Sequence, residues 1–553
     1  MKISRRSVLA ASAAWPLIGC SPPSKTGYNG NWVGAAHGRG HRLRDLKSGT
    51  LPAPAVQRRA SVLVIGAGIA GLGCARALAR AGISDVQVLD LEDSAGGNSR
   101  SHRIGATACP LGAHYLPVPG ADAVDVIELL EDLSLRRTVQ GKAVYDERHL
   151  CHSPQERLFI DGQWAEGLLP PLDALPAAQR EATAAQYRHF ARAVNQAALS
   201  SQGHAFRMPT AQSVWSTELS ALDAVTFAQW LDAQQLTAPA LRWYLDYCCR
   251  DDYGAGAAQV SAWAGLHYFA SRHGFQFEGE TSNGMSDERD GVLTWPEGNA
   301  WLSQRMAAPL ANQIHTGQIA LRVTESRFET TVDTWNDTEQ RSERWTAKQV
   351  VMAVPLFIAA RLIASPSNAL VQAAAALNYS PWLVANLQVD VPLDDHPGAP
   401  PSWDNVVYDP QRGSPALGYV DAMHQSTRPH AGPTVLTAYW ALGGDSVAEL
   451  RAQRARLMNE PWSAWAEAML SDLSRAHPDL KSKVRQVDLM RYGHAMAVPS
   501  PGVRSGAALL ALAAPSAGSR VHFAHADLSG YSVFEEALSR GVGAARRLVA
   551  LLR

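Results

Sequence analysis

The stretch that decides the fold is residues 62–71, which read VLVIGAGIAG. Its first four residues are apolar and mostly β-branched, which predicts a strand buried on both faces of a parallel sheet. Glycines at positions 66, 68 and 71 follow directly, and apolar residues then recur at helical spacing as far as Gly82. The predicted order is therefore strand, glycine-rich turn and helix, with Gly82 ending the helix.

This order is the start of a dinucleotide-binding fingerprint. Glycines allow the backbone to approach a pyrophosphate closely, and the helix N-terminus adds unpaired N–H groups and the positive end of its dipole. A second apolar run, Val86 to Leu89, ends at Asp90, 19 residues beyond Gly71. An acid at this distance binds the ribose of adenosine. We expect the dinucleotide to be bound by Gly66, Gly68, Ala70, Gly71 and Asp90, with Glu92 as the alternative ribose ligand.

The segment after the acid distinguishes FAD from NAD. Residues 90–99, DLEDSAGGNS, resemble the flavin amine oxidase superfamily, in which an acid is followed by a Gly-Gly pair and usually an arginine. Residues 111–115, LGAHY, occupy the position of the next glycine turn of that superfamily. The resemblance implies an FAD cofactor held by the residues Gly96, Gly97, Asn98, Gly112, Ala113 and His114.

The C-terminal tail resembles the last flavin segment of the same superfamily. Residues 520–531 read RVHFAHADLSGY, and a helix is expected from about 532 to 552. The resemblance implies that Asp527 and Glu535 contact the cofactor and that the N-terminus of this helix faces the flavin. Residues 491–499 precede the tail and pass the flavin ring in the superfamily. We therefore expect His494 and Tyr531 to be the catalytic residues on the reactive face.

A third group of segments has the superfamily's order in the middle of the chain. Strands are predicted at 319–323, 330–335 and 350–355. The resemblance implies that the backbone of 320–322 lies against the adenine. Residues 295–299 resemble a glycine turn of the same superfamily, which is followed by a helix. We therefore expect an α/β fold with these parts: a discontinuous Rossmann-type FAD-binding domain (60–130, 290–360 and 485–553) and an α+β substrate-binding domain built from the insertions 131–289 and 361–484.

The insertions suggest where a substrate would bind. A helix is predicted over Gln259–His273, with Trp263 and His267 on one face. Residues 250–254, RDDYG, are either a charged loop that caps a helix or a cluster that faces the substrate. We expect Trp263, Trp295 and Tyr531 to line the pocket. The adjacent Cys248 and Cys249 are expected to be inert thiols, because a disulfide between neighbours is strained. The histidines show no metal-ligand spacing.

Composition excludes several classes of protein. The chain has 553 residues with 50 Lys+Arg against 51 Asp+Glu, so no net field attracts nucleic acid. The 43 glycines and 32 prolines are too few for a low-complexity chain. Six cysteines are too sparse for a disulfide scaffold.

The first twenty residues read as an export signal. Residues 4–9, SRRSVL, resemble the bacterial twin-arginine signal, and residues 17–20, LIGC, resemble a lipoprotein box in which Cys20 is acylated. An ordinary cleaved signal is the alternative. Residues 21–59 carry seven Lys and Arg against one Asp and are expected to form a flexible basic linker. These features predict a protein exported folded to the periplasmic side of a bacterial membrane, with the export machinery and membrane lipid as partners.

The resemblance implies an FAD-dependent oxidoreductase that removes a hydride from the carbon next to an amine nitrogen of a small molecule, with dioxygen or a quinone restoring the flavin. The same motifs occur in protoporphyrinogen oxidases and carotenoid desaturases, so oxidation of carbon–carbon bonds is an alternative. Asn98, His525 and Glu536 replace residues common in active relatives. A non-catalytic FAD-binding accessory protein is therefore a third possibility.

Overall fold

The computed structural model describes residues 27–48, 53–272, 274–277, 291–411, 414–425, 431–514 and 518–552. The α-helices in this part of the chain are α1 (His37–Ser48), α2 (Ile69–Arg80), α3 (Val124–Asp132), α4 (Ala177–Gly203), α5 (Thr217–Asp223), α6 (Phe227–Ala233), α7 (Pro239–Tyr253), α8 (Ala262–Ala270), α9 (Ala300–Ala307), α10 (Leu356–Leu362), α11 (Asn368–Ala376), α12 (Val447–Asn459), α13 (Trp462–Leu473), α14 (Leu480–Lys483), α15 (Ala507–Ala513) and α16 (Phe534–Leu552). The strands are β1 (Val56–Ile65), β2 (Val86–Leu89), β3 (Ser101–Ile104), β4 (Thr107–Pro110), β5 (Tyr115–Pro117), β6 (Arg136–Val139), β7 (Lys142–Tyr145), β8 (Glu156–Ile160), β9 (Gln163–Glu166), β10 (Val292–Thr294), β11 (Ile314–His315), β12 (Gln318–Glu325), β13 (Thr330–Asn336), β14 (Arg341–Met352), β15 (Asn378–Val389), β16 (Asp404–Val407), β17 (Ala416–Asp421), β18 (Thr434–Ala441), β19 (Val484–Val498) and β20 (Val521–Phe523).

The first large sheet has the strand order β11-β2-β1-β14-β13-β12, and β20 also pairs with β14. The pairs β11–β2, β2–β1, β1–β14 and β14–β20 are parallel. Residues 62–65 are buried, as a strand covered on both faces by helices requires. Helices α2 and α16 pack closely against each other on this sheet. The predicted Rossmann-type domain is therefore confirmed, and it joins segments that are almost 500 residues apart, from β1 to α16.

The second large sheet has the order β19-β15-β18-β17-β16-β8-β9 and is mainly antiparallel. It is built mostly from the two insertions. The long strand β19 pairs with β15 along its length, so residues 484–498 belong to this sheet. Residues 485–553 were expected in the FAD-binding domain, so the sequence placed this strand in the wrong sheet. Strand pairing is a long-range choice, which the local sequence does not specify.

Helices α4 to α8 form a bundle beside the second sheet around a core that includes Tyr187, Phe190, Phe227 and Trp263. Helix α8 starts later than predicted because the hydroxyl of Ser261 caps it, accepting a hydrogen bond from the N–H of Ala264 at 3.2 Å. Gly265 in α8 is needed for close packing, since a Cβ there would lie 2.3 Å from the ring of Phe227.

Some of the smaller expectations hold in these helices. The rings of Trp263 and His267 lie on one face of α8, 4.9 Å apart. Cys248 and Cys249 are free, and burial raises the pKa of both thiols well above the usual value, which keeps them unreactive.

The described part of the predicted linker is folded and not a flexible tether. Residues 27–48 contact both large sheets and contain α1, and residues 56–59 are the start of β1. Three of its cations are paired, because Arg39 and Arg42 both bind Asp337 and Arg58 binds Glu343. These acids are distant from the segment in sequence, so its composition alone predicts a solvated linker. Residues 1–26, with the predicted export signal, lie outside the described residues.

Candidate active site

A cavity of about 400 Å³ lies between the two large sheets. Segments from both ends and the middle of the chain line it, as the resemblance implied. All but two of the predicted cofactor-binding residues face it: Gly66, Gly68, Ala70, Asp90, Gly96, Gly97, Asn98, Gly112, Ala113, His114, Asp527 and Glu535. Gly71 and Glu92 do not, and neither do residues 320–322, which were expected to meet the adenine.

The glycine turn after β1 has two kinds of glycine. Gly66 has φ +105°, and a Cβ there would lie 2.4 Å from the carbonyl oxygen of Ala353, while a Cβ at Gly71 would lie 1.9 Å from the oxygen of Gly66. These two glycines allow the turn to form. Gly68 is different, because the nearest atom to its built Cβ is Cα of Gly97 at 3.9 Å. Gly68 is also the N-cap of α2 without any side-chain cap, so the first N–H groups of the helix remain available to an anion.

Asp90, not Glu92, is the acid at the cavity. The Asp90 carboxylate accepts hydrogen bonds from the backbone N–H groups of Ala67 at 2.6 Å and Glu92 at 2.8 Å. Burial raises the pKa of Asp90 in spite of these bonds. The Glu92 carboxylate instead accepts from the N–H of Ala36 at 3.0 Å and pairs with Arg100 at 3.3 Å.

The Gly-Gly pair forms the floor of the cavity beneath the turn. The N–H of Gly96 donates to the oxygen of Ala67 at 2.8 Å, and a Cβ at Gly97 would lie 3.1 Å from Cα of Gly68. The side-chain amide of Asn98 donates to the carbonyl oxygen of Ala495 in β19 at 2.8 Å. Asn98 therefore joins the floor to the second sheet, which a neutral amide can do without adding charge.

Asp527 is held as a buried anion on the opposite wall. Its Oδ2 accepts from the N–H of Leu356 at 2.8 Å and from the hydroxyl of Tyr379 at 2.5 Å. Burial alone would raise its pKa, but His525, Tyr379 and the Leu356 N–H together lower it. Glu535 also faces the cavity, in the first turn of α16.

Glu536 points away from the cavity and is fully buried. Its carboxylate accepts hydrogen bonds from the N–H of Thr210 at 2.5 Å, from the hydroxyl of Ser529 at 2.5 Å and from the hydroxyl of Tyr531 at 3.1 Å. The residue that replaces a glycine of the superfamily thus fastens α16 to the loop before α5. It does not block the cofactor site.

We expect Glu536→Ala to lower the free energy of unfolding by about 2 kcal/mol, because it leaves several buried donors without an acceptor. Chemical denaturation monitored by circular dichroism measures this. Glu181→Ala, on the exposed side of α4, is the control and should change stability little. Equal stabilities for the two variants would show that the Glu536 network contributes nothing.

The two predicted catalytic residues are placed differently. His494 lines the cavity, with its ring 4.8 Å from that of Phe357 and 5.9 Å from that of Tyr379. Burial and then the neighbouring arginines lower the pKa of His494 to about 4, so its imidazole is neutral. Tyr531 is fully buried behind the wall, with its hydroxyl on Glu536, and it does not line the cavity. The prediction that Tyr531 lies at the reactive face is therefore wrong in this structure.

The expected aromatic lining is also wrong. Trp263 is buried among Trp215, His267 and Tyr531, and Trp295 stacks on Trp301 beside a separate cavity. The aromatic residues that do line the cavity are His114, Tyr115, Tyr379, Trp382, Tyr439, Tyr492, His494, His525 and Phe534. Most of the residues that sequence reasoning missed lie on strands of the second sheet. No motif marks such positions, because the fold alone decides which strand faces the cofactor domain.

The inner end of the cavity contains ionisable groups from the charged cluster at 250–254. These residues form the last turn of α7, so they do end a helix, and Asp251 and Asp252 also face the cavity. Asp252 pairs with Arg272 at 2.7 Å. Asp251 accepts a hydrogen bond from the hydroxyl of Tyr115 at 3.3 Å, and burial raises its pKa to about 7. The cluster is therefore part of a helix and not a loop that caps one, and two of its acids line the cavity where a substrate-facing cluster would lie.

A stack of rings forms one wall next to these acids. His114 stacks on Tyr439 with centroids 4.4 Å apart and lies 5.3 Å from Trp403. Burial lowers the pKa of His114 to about 3, so this imidazole stays neutral. The loop that carries it is fixed by Asn299, whose side chain donates to the carbonyl oxygen of Tyr115 at 2.8 Å. Within the described ranges, no group of three or more His, Cys, Asp or Glu is arranged to hold a metal ion.

Residues 69–549 match the flavin-containing amine oxidoreductase family. The chain belongs to this family. A putrescine oxidase bound to putrescine has a similar structure, with a TM-score of 0.63 and 18% identity over 89% of this chain and 100% of that chain. Cyclohexylamine oxidase from Brevibacterium oxydans has a TM-score of 0.62 and 20% identity over 89% and 99%. A fatty acid isomerase from P. acnes has a TM-score of 0.61 and 16% identity over 88% and 98%.

The family makes this protein an FAD-dependent oxidoreductase, and the cavity fits that cofactor. Gly68 and Gly97 leave open backbone where side chains would obstruct the pyrophosphate, and the uncapped N-terminus of α2 supplies donors for it. Asp90 and Asp527, for which the sequence predicted contacts with the cofactor, both line this cavity. The predicted α/β fold class, the flavoenzyme assignment and the FAD cofactor are thereby confirmed.

Proposed function

We propose that the protein is an exported amine oxidase whose substrate places its amino group against Asp251. The observation that carries the proposal is the partly accessible carboxyl group of Asp251 at the inner end of a cavity that otherwise has mainly aromatic and backbone walls. Among the described residues no ion pair reaches Asp251, since the nearby Arg272 is paired with Asp252, and a buried carboxyl group in this position favours a ligand that brings a positive charge.

The charges at the inner end support an amine over an acid. Arg272 is committed to Asp252 at 2.7 Å, so its charge is already balanced. Glu535 adds another carboxyl group nearby, and burial raises its pKa. The faces of Tyr115, Tyr439 and Trp382 attract cations through their ring quadrupoles. A substrate carboxylate would meet more acids than free cations here.

The protein's own contribution is to bind and orient. Bound FAD supplies two-electron oxidation of a carbon–hydrogen bond. Asp251 holds the amino group and takes up or releases a proton at its carboxylate, which a pKa of about 7 allows near neutral pH. The rings around it exclude water and align the carbon that reacts.

Two of the similar structures are named for amines, putrescine and cyclohexylamine, which agrees with this proposal. The third is named for a fatty acid, so the fold alone does not separate oxidation of an amine from chemistry at carbon–carbon bonds. The accessory-protein alternative is weakened by the structure. Asn98 and Glu536 make defined hydrogen bonds, and His525 lies 3.0 Å from the carboxylate of Asp527.

An anaerobic flavin-bleaching screen tests the proposal. The purified holoenzyme is mixed with putrescine, cyclohexylamine, linoleate, a porphyrinogen and a carotenoid precursor, and the flavin absorbance is followed. We expect bleaching with at least one amine and none with the others. If only the porphyrinogen or the carotenoid precursor bleaches the flavin, the enzyme oxidises carbon–carbon bonds and the amine proposal is wrong. Stable absorbance with every compound would favour an accessory protein.

Export and lipid anchoring form the second part of the proposal. The support is the twin-arginine sequence at 4–9 and the lipobox at 17–20. The first described segment starts only a few residues later, and Tyr28 packs on Trp462 with ring centroids 6.0 Å apart. Eight residues span at most about 28 Å, so an acylated Cys20 would hold the folded body close to the membrane.

Among the helices that the structure describes, none combines the length and the apolar character needed to cross a bilayer.

Cys20→Ala is expected to move the protein from the membrane to the soluble periplasmic fraction, because the acylated thiol is the proposed anchor. Cell fractionation and immunoblotting measure this. Replacement of both Arg5 and Arg6 by lysine should instead leave the protein in the cytoplasm. Unchanged membrane association of Cys20→Ala would contradict the lipoprotein proposal, and export of the double lysine variant would contradict the twin-arginine route.

A further inference from the structure

We propose that Arg39, in the segment Tyr28–Arg42, is a positioning residue for the adenosine half of the FAD site. We call this segment the strap. It precedes the Rossmann strand and lies outside the part of the chain that matches the family. The inference depends on the FAD cofactor and not on the identity of the substrate.

The first half of the strap is an added strand at the edge of the second sheet. The N–H of Asn29 donates to the oxygen of Arg485 at 2.9 Å, and the N–H of Val33 donates to the oxygen of Leu489 at 2.8 Å. Gly30 passes so close to β19 that a Cβ would lie 1.8 Å from the oxygen of Val487. This half of the strap is therefore fixed to the substrate-side sheet by backbone hydrogen bonds and close packing.

The second half crosses to the cofactor domain and meets the loop that follows Asp90. The guanidinium of Arg39 donates to the carbonyl oxygen of Leu91 at 3.2 Å, to Asp93 at 2.6 Å and to Asp337 at 2.9 Å. Leu91 is the residue directly after Asp90, the acid placed for the ribose. Two of these three bonds reach the loop, and the third fixes the guanidinium to Asp337 in the β13–β14 turn, so one planar charged group ties the loop to a second segment of the cofactor domain.

The strap also reaches the Gly-Gly floor through Arg100. The carbonyl oxygen of Gly34 accepts a hydrogen bond from Arg100 at 3.1 Å, and Arg100 in turn donates to the oxygen of Gly97 at 2.9 Å. The N–H of Ala36 donates to Glu92, which pairs with Arg100. The strap thus contacts the loop 91–93 that directly follows Asp90 and, through Arg100, the carbonyl oxygen of Gly97. Asp90, Gly96 and Gly97 line the cavity.

Most of these contacts are polar and partly exposed, so we expect the strap to tune cofactor retention and not to determine the fold. A looser loop after Asp90 should allow the Asp90 carboxylate to move, and FAD should then dissociate faster. The hydrogen bonds described above for the second half of the strap go to residues 91–100 and to Asp337, whereas Asp527 and Asp251 have other partners. The effect should therefore depend on the adenosine part of FAD.

The test compares the holoenzyme with Arg39→Ala, Arg39→Lys and Arg44→Ala. Arg44 lies on the same helix with an exposed side chain and serves as the control. Release of FAD after dilution is followed by the rise in flavin fluorescence. We expect release about 10-fold faster in Arg39→Ala, an intermediate rate in Arg39→Lys and an unchanged rate in Arg44→Ala.

A second measurement separates positioning from general loosening of the protein. The deflavinated variants are titrated with FAD and with FMN, which lacks the adenosine half. We expect Arg39→Ala to bind FAD about 10-fold more weakly while its affinity for FMN stays unchanged. Unaltered FAD release, or equal losses for FAD and FMN, would overturn the inference. Because no substrate is used, neither result depends on the proposed amine oxidation.

Discussion

Gly68→Leu is expected to give a folded protein that contains no FAD. Gly68 has φ −71° and ψ −178°, a conformation that leucine adopts readily, and its built Cβ meets nothing closer than 3.9 Å. The new side chain would therefore not disturb the fold. It would instead occupy the space beside Gly97 through which the pyrophosphate must approach the N-terminus of α2. A loss of about 4 kcal/mol, or roughly 1000-fold in affinity, is reasonable for such an obstruction.

Flavin absorbance per protein in the purified variant measures this effect, with circular dichroism as the check on folding. The matched control is Gly120→Leu, since Gly120 also has open space around its built Cβ but lies outside the main cavity. We expect the control to keep its flavin. A Gly68→Leu protein with a full complement of FAD would show that the cofactor does not lie over this turn.

Asp251→Asn is expected to lower kcat/KM for an amine by about 100-fold, because the amide cannot balance the charge of the amino group. In the unaltered protein, kcat/KM should rise with pH through about 7 as Asp251 loses its proton. The variant should lack this rise. Steady-state kinetics over a range of pH values test both points, with Asp161→Asn in the exposed β8–β9 turn as the control. A variant that retains the same pH dependence would remove Asp251 from the proposed site.

The same substitution should make the protein more stable above pH 7. Burial raises the pKa of Asp251 from 3.8 to about 7 in the folded state, so the folded protein holds a proton that the unfolded chain has lost. The free energy of unfolding therefore falls as pH increases from about 4 to 7 and is constant above that. Asparagine removes this cost, which is at most ~4 kcal/mol. Denaturation at pH 5 and pH 8 should show a gain that is larger at pH 8, and equal gains would contradict the raised pKa.

The amino-acid sequence by itself determined the cofactor half of the protein. The VLVIGAGIAG stretch predicted β1, the turn and α2, and Asp90 followed at the fingerprint distance, whereas Gly96 and Gly97 were implied by the resemblance to the flavin amine oxidase superfamily. This was possible because a dinucleotide is recognised by backbone close to one turn, and local spacing specifies where the backbone can go. Asp527 and Glu535 were implied by the resemblance of the tail to the last flavin segment of the superfamily, and not by spacing alone.

Only the tertiary structure decided the substrate half and the role of the N-terminal segment. Trp382 and Tyr439 face the cavity because β15 and β18 pair within the second sheet. Tyr531 does not line the cavity, and its hydroxyl donates a hydrogen bond to Glu536. The sequence predicts only a flexible basic linker around Arg39, whereas the fold pairs Arg39 with Asp337. The physical reason is that a side chain's partner depends on packing between segments hundreds of residues apart, and the spacing of neighbours along the chain carries no information about that packing.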